Sequence, residues 1–298
     1  MSSFFDEIAR NNLKSFLLLA IFTLFFVGII YFVVYLLGGG VFAFFIGAAL
    51  VVLYAIFTYY GGDRVVLAVS RAKEADEKQY ETLYADVEGM SSAMQLKTPK
   101  IYIINDPNPN AFATGRRGKP SIAFTTGLLQ MMDREELEGV ISHELSHVAD
   151  NDILVMTIAI AFAGAIGLIA AYLRLSFFFG GFGGKGRGNA GPLVLIALAI
   201  GILAPFFALL TRLAISRRRE YMADANGARV TRNPAELAGA LKKIQAYGKN
   251  PNTPPVMHAN EVTASLYFAN PFKTGNLAGL FSTHPPTEER IKRLEAMY

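Results

Sequence analysis

Two histidines and a glutamate near the middle of the chain have the spacing of a catalytic metal site. They lie in the run His143-Glu144-Leu145-Ser146-His147. Histidines four residues apart project from one face of a helix, so both imidazoles can reach one metal ion. Glu144 is rotated by roughly 100° from His143, toward the water that the metal activates. The run predicts zinc-assisted attack on a peptide carbonyl with Glu144 as the base; the alternative is a helix with two surface histidines.

A third ligand is needed, because a catalytic zinc ion keeps three protein ligands and one open position. Glu220 directly follows the last long apolar run, and Asp224 lies four residues further on, on the same helix face. We expect Glu220 on the metal and Asp224 as the acceptor of the other N–H of a ligand histidine. An ordinary solvated helix face is the alternative for this pair.

The composition is that of a membrane protein. Hydrophobic residues make up 52% of the 298 residues and charged residues only 17%, with a mean hydropathy of +0.33. Soluble domains carry about 25% charged residues. The absence of cysteine excludes a disulfide scaffold, a zinc finger and a cysteine nucleophile. The sequence pI of 9.1 does not indicate nucleic acid, because much of the positive charge flanks apolar runs.

Four apolar runs position these motifs. A bilayer core of about 30 Å requires roughly 20 apolar residues in a helix. The runs span residues 16–37, 41–60, 153–173 and 193–210, and none contains Asp, Glu, Lys or Arg. They predict four transmembrane helices in two hairpins, although the sequence leaves open whether the second pair crosses fully. Long buried helices of a soluble core are the alternative.

The flanking charges predict the orientation and the domain organisation. Ten Lys/Arg lie in 61–152 and thirteen in 211–298, against three in the Gly-rich connection 174–191. By the positive-inside rule both termini and both polar segments are cytoplasmic. We therefore expect an N-terminal hairpin (1–60), two halves of a cytoplasmic domain (61–152 and 211–298) and a second hairpin between them (153–210).

The polar segments predict a small α+β scaffold. Residues 63–94 have helical periodicity, and short β-prone runs at 101–105, 111–114 and 121–125 predict a small antiparallel sheet. Asp133, with Glu136 three residues later, predicts a capping box that starts the helix of the histidine motif.

Four motifs together resemble the HtpX-type membrane metalloproteases of peptidase family M48. They lie, in order, at 110–115, 143–147, 216–224 and 282–290, and the resemblance covers essentially the whole chain. It implies a gluzincin-like zinc endopeptidase of the cytoplasmic membrane with one zinc ion per chain. His143, His147 and Glu220 would be its ligands, Glu144 its base and Asp224 the residue that orients a histidine. It also implies polypeptide substrates, mainly damaged or misfolded membrane proteins, in a stress response.

Further residues have candidate roles near such a site. His284, in a Thr-His-Pro-Pro turn, is either a donor that stabilises the oxyanion or a structural contact of the last helix. Asn110, Ala111 and Phe112 begin a strand that either binds substrate backbone by strand addition or is an ordinary sheet strand. His258 has no recognised partner, which favours a surface or structural role.

Three functions compete at this point. The first is a membrane-bound zinc endopeptidase acting at the cytoplasmic surface, and the second is a protease that cuts within the bilayer. The acidic residues from Asp133 to Glu138 favour the first, because they place the motif helix in water. The third is a non-catalytic adaptor or holdase with a structural metal. The presence of Glu144 argues against this function, because a purely structural metal site does not need that carboxylate.

Overall fold

The computed structural model describes residues 4–36, 40–161, 217–250, 253 and 285–297. Two long helices come first, α1 (Phe4–Leu36) and α2 (Val41–Val69). A strand, β1 (Lys73–Glu74), and α3 (Glu81–Ala93) follow. The remaining elements, in chain order, are β2 (Lys100–Ile104), β3 (Ala111–Arg116), β4 (Lys119–Thr125), α4 (Thr126–Met131), α5 (Arg134–Ala149), α6 (Asp152–Ala161), α7 (Arg217–Thr231), α8 (Pro234–Lys249) and α9 (Thr287–Glu295).

Helices α1, α2 and α6 form an apolar body. Phe22 of α1, Ala55 of α2, and Leu154 and Ile158 of α6 make one buried cluster. The outer faces of α1 and α2 are apolar and exposed; Phe42, for example, is 79% exposed. In the part of the chain that the structure describes, α2 is the one helix long and apolar enough to cross a membrane. Shorter apolar stretches lie at Asn12–Gly28 and in α6.

The second hairpin predicted from the sequence is described only at its beginning. Residues 153–161 form most of α6, as the apolar run at 153–173 predicts. The rest of that run and the whole of 193–210 lie outside the described residues.

The sheet is mixed, so the predicted antiparallel arrangement is wrong for one pair of strands. Its order is β1-β2-β4-β3. β3 and β4 are antiparallel and joined by a two-residue turn between Arg116 and Lys119. β4 lies between β3 and β2, and it pairs with β2 in parallel. The strand runs were correctly located, but which strand lies between the others depends on packing that the local sequence does not contain.

A hydrophobic core joins this sheet to seven helices, α3 to α9. Ile122 and Phe124 of β4 pack in one cluster with Val140 and Leu145 of α5 and with side chains of α3, α7, α8 and α9. The capping box that starts α5 is confirmed, because Asp133 accepts from the Glu136 N–H and the Glu136 side chain accepts from the Asp133 N–H. Helix α5 is therefore held at its first turn and buried along its second half, where the histidine motif lies.

Candidate active site

Helix α5 presents both histidines on one buried face. His143 Nε2 and His147 Nε2 are 3.2 Å apart, and the two rings are 1% and 8% exposed. This is the arrangement that the i, i+4 spacing predicts. Glu144 is also buried, so all three residues of the motif lie inside the protein and not on a solvated helix face.

Helix α7 brings Glu220 against the histidines. Glu220 Oε2 is 3.8 Å from His143 Nε2, and Glu220 Oε1 is 3.7 Å from His147 Nε2. Gly227 permits this close approach of α7 to α5, because a Cβ there would lie 3.1 Å from both the His143 N atom and Ser142 Oγ. Glu220 is 2% exposed.

His143, His147 and Glu220 together offer a metal site. One ligand atom from each lies within 4.8 Å of the others, and all three side chains are buried. Two imidazoles and a carboxylate are the donor set of many catalytic zinc sites, in which the fourth position is left for water or substrate. The residues present therefore fit a zinc ion.

A carboxylate holds the second nitrogen of each histidine. His143 Nδ1 is 3.0 Å from Asp224 Oδ1, which is the contact predicted for Asp224. His147 Nδ1 is 2.9 Å from Asp152 Oδ2, a contact that the spacing of the motifs does not predict. A carboxylate at Nδ1 fixes the ring with its N–H on that side, so that Nε2 presents a lone pair.

Arg290 of α9 also lies beside His143. Its Nε and Nη2 atoms donate to Asp224 Oδ2 and Oδ1 at 2.9 Å and 2.7 Å, a bidentate pair. Nη2 is also 3.4 Å from His143 Nδ1. Arg290 is 1% exposed, and a guanidinium group that is buried this deeply requires such a partner.

The electrostatics of the two histidines differ. Burial lowers the pKa of His143 to about 4, although Asp224 opposes this, and the ring is neutral at pH 7. Burial also acts to lower the pKa of His147, but Asp152, Glu220 and Glu144 outweigh it and raise that pKa to about 10. The site therefore strongly favours positive charge beside His147, either as a proton or as a metal ion.

The net charge of the described residues around the site favours binding of a divalent cation. Four buried carboxylates touch or face the histidines, and two guanidinium groups face the carboxylates, those of Arg290 and of Arg219. Arg219 Nε is 4.0 Å from Asp152 Oδ2. With both histidines neutral, as metal ligands are, two negative charges are not balanced by these side chains, and uncompensated buried charge is costly. A bound Zn²⁺ ion would balance them.

The edge strand of the sheet holds Glu144. The Ala113 N–H of β3 donates to Glu144 Oε2 at 2.8 Å. β3 lies at one end of the sheet order, where its outer backbone groups face away from β4. The motif glutamate thus lies between the histidines and the strand for which the sequence suggests substrate binding.

The candidate strand residues are all buried. Asn110 donates its N–H to Thr125 Oγ1, and its side chain accepts the Ala111 N–H, so it shapes the turn into β3. Phe112 packs in a cluster with Val66 of α2 and other apolar side chains. The side chains of Asn110 and Phe112 thus have structural contacts. Because the outward N–H groups of Ala111 and Ala113 already donate to Asn110 and Glu144, the outward carbonyl groups of this strand are the candidates for substrate binding.

Some sequence-predicted residues cannot be placed, and some residues at the site were missed. His284 and His258 lie outside the described residues. Asp152 and Arg290 were within reach of sequence reasoning: one is an acid at the very start of an apolar run, and the other closes the 282–290 motif. The Ala113 N–H carries no sequence signal, because every residue except proline has that group.

Comparison with known proteins identifies the family of this chain. The model of peptidase family M48 matches residues 77–298. A protease HtpX homolog of Caldanaerobacter subterraneus subsp. tengcongensis is 42% identical over 97% of this chain and 96% of its own length. The protease HtpX homolog of Dictyoglomus thermophilum is 40% identical over 99% of this chain and 95% of its own, and that of Streptococcus thermophilus is 42% identical over 98% and 99%. The chain thus belongs to peptidase family M48 and is a membrane-associated, zinc-dependent protease.

Proposed function

We propose that His143, His147 and Glu220 bind one zinc ion and that Glu144 is the general base of an endopeptidase. The observation that carries this is the convergence of the three ligand atoms within 4.8 Å on a buried site. Glu144 lies on the same helix as the histidines but is held by the Ala113 N–H, which leaves it outside the ligand set.

The residues divide the chemistry among them. A zinc ion held by His143, His147 and Glu220 would act as a Lewis acid that polarises the scissile carbonyl and lowers the pKa of bound water. Asp224 and Asp152 hold the histidines so that both Nε2 atoms point inward. Glu144 would accept the proton of the attacking water as general base and then, as general acid, donate it to the nitrogen of the leaving amine.

The substitution Glu144→Gln tests the assignment of the base. The amide keeps the shape of the side chain and an acceptor for the Ala113 N–H, but it cannot take a proton. We expect stoichiometric zinc by elemental analysis and a fall in casein cleavage of about 10²–10⁴-fold. Glu138→Gln on the same helix is the matched control and should cleave like wild type, because Glu138 pairs only with Arg134 among the described residues. Cleavage by Glu144→Gln, or loss of its zinc, would contradict the assignment.

We further propose four membrane-spanning helices in two hairpins, with both termini in the cytoplasm. The exposed apolar faces of α1 and α2 support the first hairpin, since water would not stabilise them. The apolar, tightly packed beginning of α6 supports the second. The charge distribution supports the orientation. The polar segments 61–152 and 211–298 then form one cytoplasmic domain between and after the hairpins.

The position of α5 supports cleavage at the membrane surface and not within the bilayer. The helix begins at Arg134, whose side chain is 62% exposed and pairs with Asp86 and Glu138. It ends next to α6, the first element of the second hairpin. Charged, exposed side chains at one end and an apolar helix at the other are what a site just above the lipid requires.

Membrane proteins are the substrates that this position favours. A loop that leaves a membrane helix reaches the site without unfolding of a soluble domain, and confinement to the membrane raises its effective concentration. We therefore propose a role in the quality control of misfolded or damaged membrane proteins.

A further inference from the structure

Helix α6 contacts the active site at two places. At its first residue, Asp152 Oδ2 is 2.9 Å from His147 Nδ1. About one and a half turns later, the hydroxyl group of Thr157 contacts the edge strand β3. Both side chains are 2% exposed.

The Thr157 hydroxyl group is aimed at β3 by its own helix. It donates to the Ile153 carbonyl oxygen one turn earlier at 2.6 Å, which fixes its rotamer. Its oxygen accepts the Gly115 N–H at 2.9 Å and lies 3.0 Å from Thr114 Oγ1. A helix of the apolar body is thereby hydrogen-bonded to the strand that borders the site.

The Thr157 contact lies two residues from the contact that holds Glu144. Successive N–H groups along a strand point to opposite sides, so those of Ala113 and Gly115 both point away from β4. The first donates to Glu144 and the second to Thr157. Gly115 has a φ of +100°, and a Cβ there would lie 2.6 Å from the Lys119 carbonyl oxygen. Only glycine therefore fits at this position without a change in the backbone.

The position of α6 is itself fixed by other apolar helices. Leu154 and Ile158 pack with α1 and α2. Gly62 of α2 allows close packing, because a Cβ there would lie 3.1 Å from Thr157 Cγ2. A shift of α6 within the apolar body would therefore move Asp152 and Thr157 together.

We propose that Asp152 and Thr157 are positioning residues through which α6 sets the geometry of the active site. Asp152 holds the ligand His147, and Thr157 holds β3 so that the Ala113 N–H keeps Glu144 in place. The proposal rests on the assignment of His147 as a ligand and Glu144 as the base. It adds that the packing of the apolar body determines catalytic competence.

The test of Thr157 separates a positioning role from a stabilising one. Thr157→Val keeps the shape and removes the hydroxyl group; Thr157→Ser keeps the hydroxyl group and removes a methyl group. For Thr157→Val in the full chain with zinc, we expect kcat on a peptide reporter about tenfold lower, on the scale of one lost hydrogen bond. KM and zinc affinity should stay within about twofold of wild type, and Thr157→Ser should restore kcat.

Thr23→Val is the matched control for this test. Thr23 bonds to the Leu19 carbonyl oxygen of its own helix, as Thr157 does to that of Ile153, and lies in the apolar body at α1. It should retain wild-type kcat. Wild-type kcat in Thr157→Val, no restoration in Thr157→Ser, or an equal loss in Thr23→Val would each overturn the role of Thr157.

The positioning role of Asp152 is tested by measuring zinc affinity. For Asp152→Ala, competition with a chelator should show binding about 10–100-fold weaker, the usual scale for a group that orients a ligand. Asp152→Asn should lose less, because its amide oxygen can still accept the His147 N–H. Asp86→Asn removes another buried charge, paired with Arg134 and remote from the site, and should leave affinity unchanged. Wild-type affinity in Asp152→Ala would overturn the role of Asp152.

Hydrogen exchange does not depend on catalytic activity, so it tests the Thr157 contact separately from the proposed function. Hydrogen exchange of peptides containing Ala113 and Gly115 should be faster in Thr157→Val than in wild type and Thr157→Ser. An inactive wild-type protein with this exchange pattern would refute the peptidase assignment but support the contact. Equal exchange in all three proteins, with an active wild type, would refute only the contact.

Discussion

Arg290 Nη2 donates to Asp224 Oδ1 at 2.7 Å, and both side chains are almost fully buried. Helix α9 thus contributes to the surroundings of His143, which lies 147 positions before Arg290 in the sequence. Burial acts to raise the pKa of Asp224, but Arg290 and His143 outweigh it and lower that pKa to about 2. Asp224 therefore stays ionised as the partner of the histidine over the whole physiological range.

Removal of Arg290 should destabilise the protein. Arg290→Met leaves Asp224 buried without its bidentate partner, and breaking such a pair costs about 3–5 kcal/mol. The melting temperature should fall clearly, and less so in Arg290→Met/Asp224→Asn, because the second change removes the unpaired charge. Thermal unfolding of the four members of this double-mutant cycle checks the coupling; additive effects would show that the pair does not interact.

Removal of Glu220 should abolish most zinc binding. Glu220→Ala takes away one of three ligands, whereas Asp224→Ala removes only a group that orients His143 and should weaken binding about 10–100-fold. Chelator competition on both variants measures the difference. Equal, wild-type affinity in both would mean that another residue supplies the third ligand.

The stability of the helix that carries the histidines should depend on its N-cap residue, Asp133. Asp133→Ala should lower the free energy of unfolding by about 0.5–2 kcal/mol, because the Glu136 N–H loses its acceptor, whereas Asp133→Asn retains one. The backbone N–H of Glu136, followed by the Lys243 side chain, lowers the pKa of Asp133. This contribution is therefore full above the ordinary aspartate pKa and is lost as the pH falls through the lowered one. Urea unfolding at neutral and acid pH compares the three proteins.

The proposed topology predicts which side of the membrane each polar segment faces. The chain has no cysteine, so single cysteines can be introduced directly. Cysteines at positions 39 and 185 should react with an impermeant reagent from outside, and those at 100 and 242 only after access to the cytoplasm. Lys100 and Lys242 have side chains that are 58% and 55% exposed, so labelling there is not limited by burial. Cytoplasmic labelling at 185 would show that the second hairpin does not cross.

Substrate choice should depend on membrane attachment and local disorder. If backbone groups of β3 bind substrate, recognition ignores most side chains, and cuts should fall at several loosely related sites in cytoplasmic loops. Cleavage should increase when the membrane substrate is destabilised by mutation, as mass spectrometry of its products would show. Cleavage at a single strict consensus sequence, equally efficient in folded soluble proteins, would contradict this prediction.

The local sequence determined the features that depend on neighbouring residues. The histidine pair follows from the helical period, and the capping box at Asp133 follows from hydrogen bonds within one turn. The first two long helices follow from two long apolar runs that contain no charged residue. These signals lie within about one helix each, so no knowledge of packing was needed.

Tertiary structure decided which groups of different elements meet. Asp152 reaches His147 because the chain turns between α5 and α6 at Asn151, which has a left-handed φ of 55°. Arg290 reaches Asp224 because α9 packs against α7 and α8. The Ala113 N–H reaches Glu144 because β3, and not β4, takes the edge of the sheet. Each contact depends on which elements pack together, and burial energy summed over the whole core determines that choice, not the residues that touch.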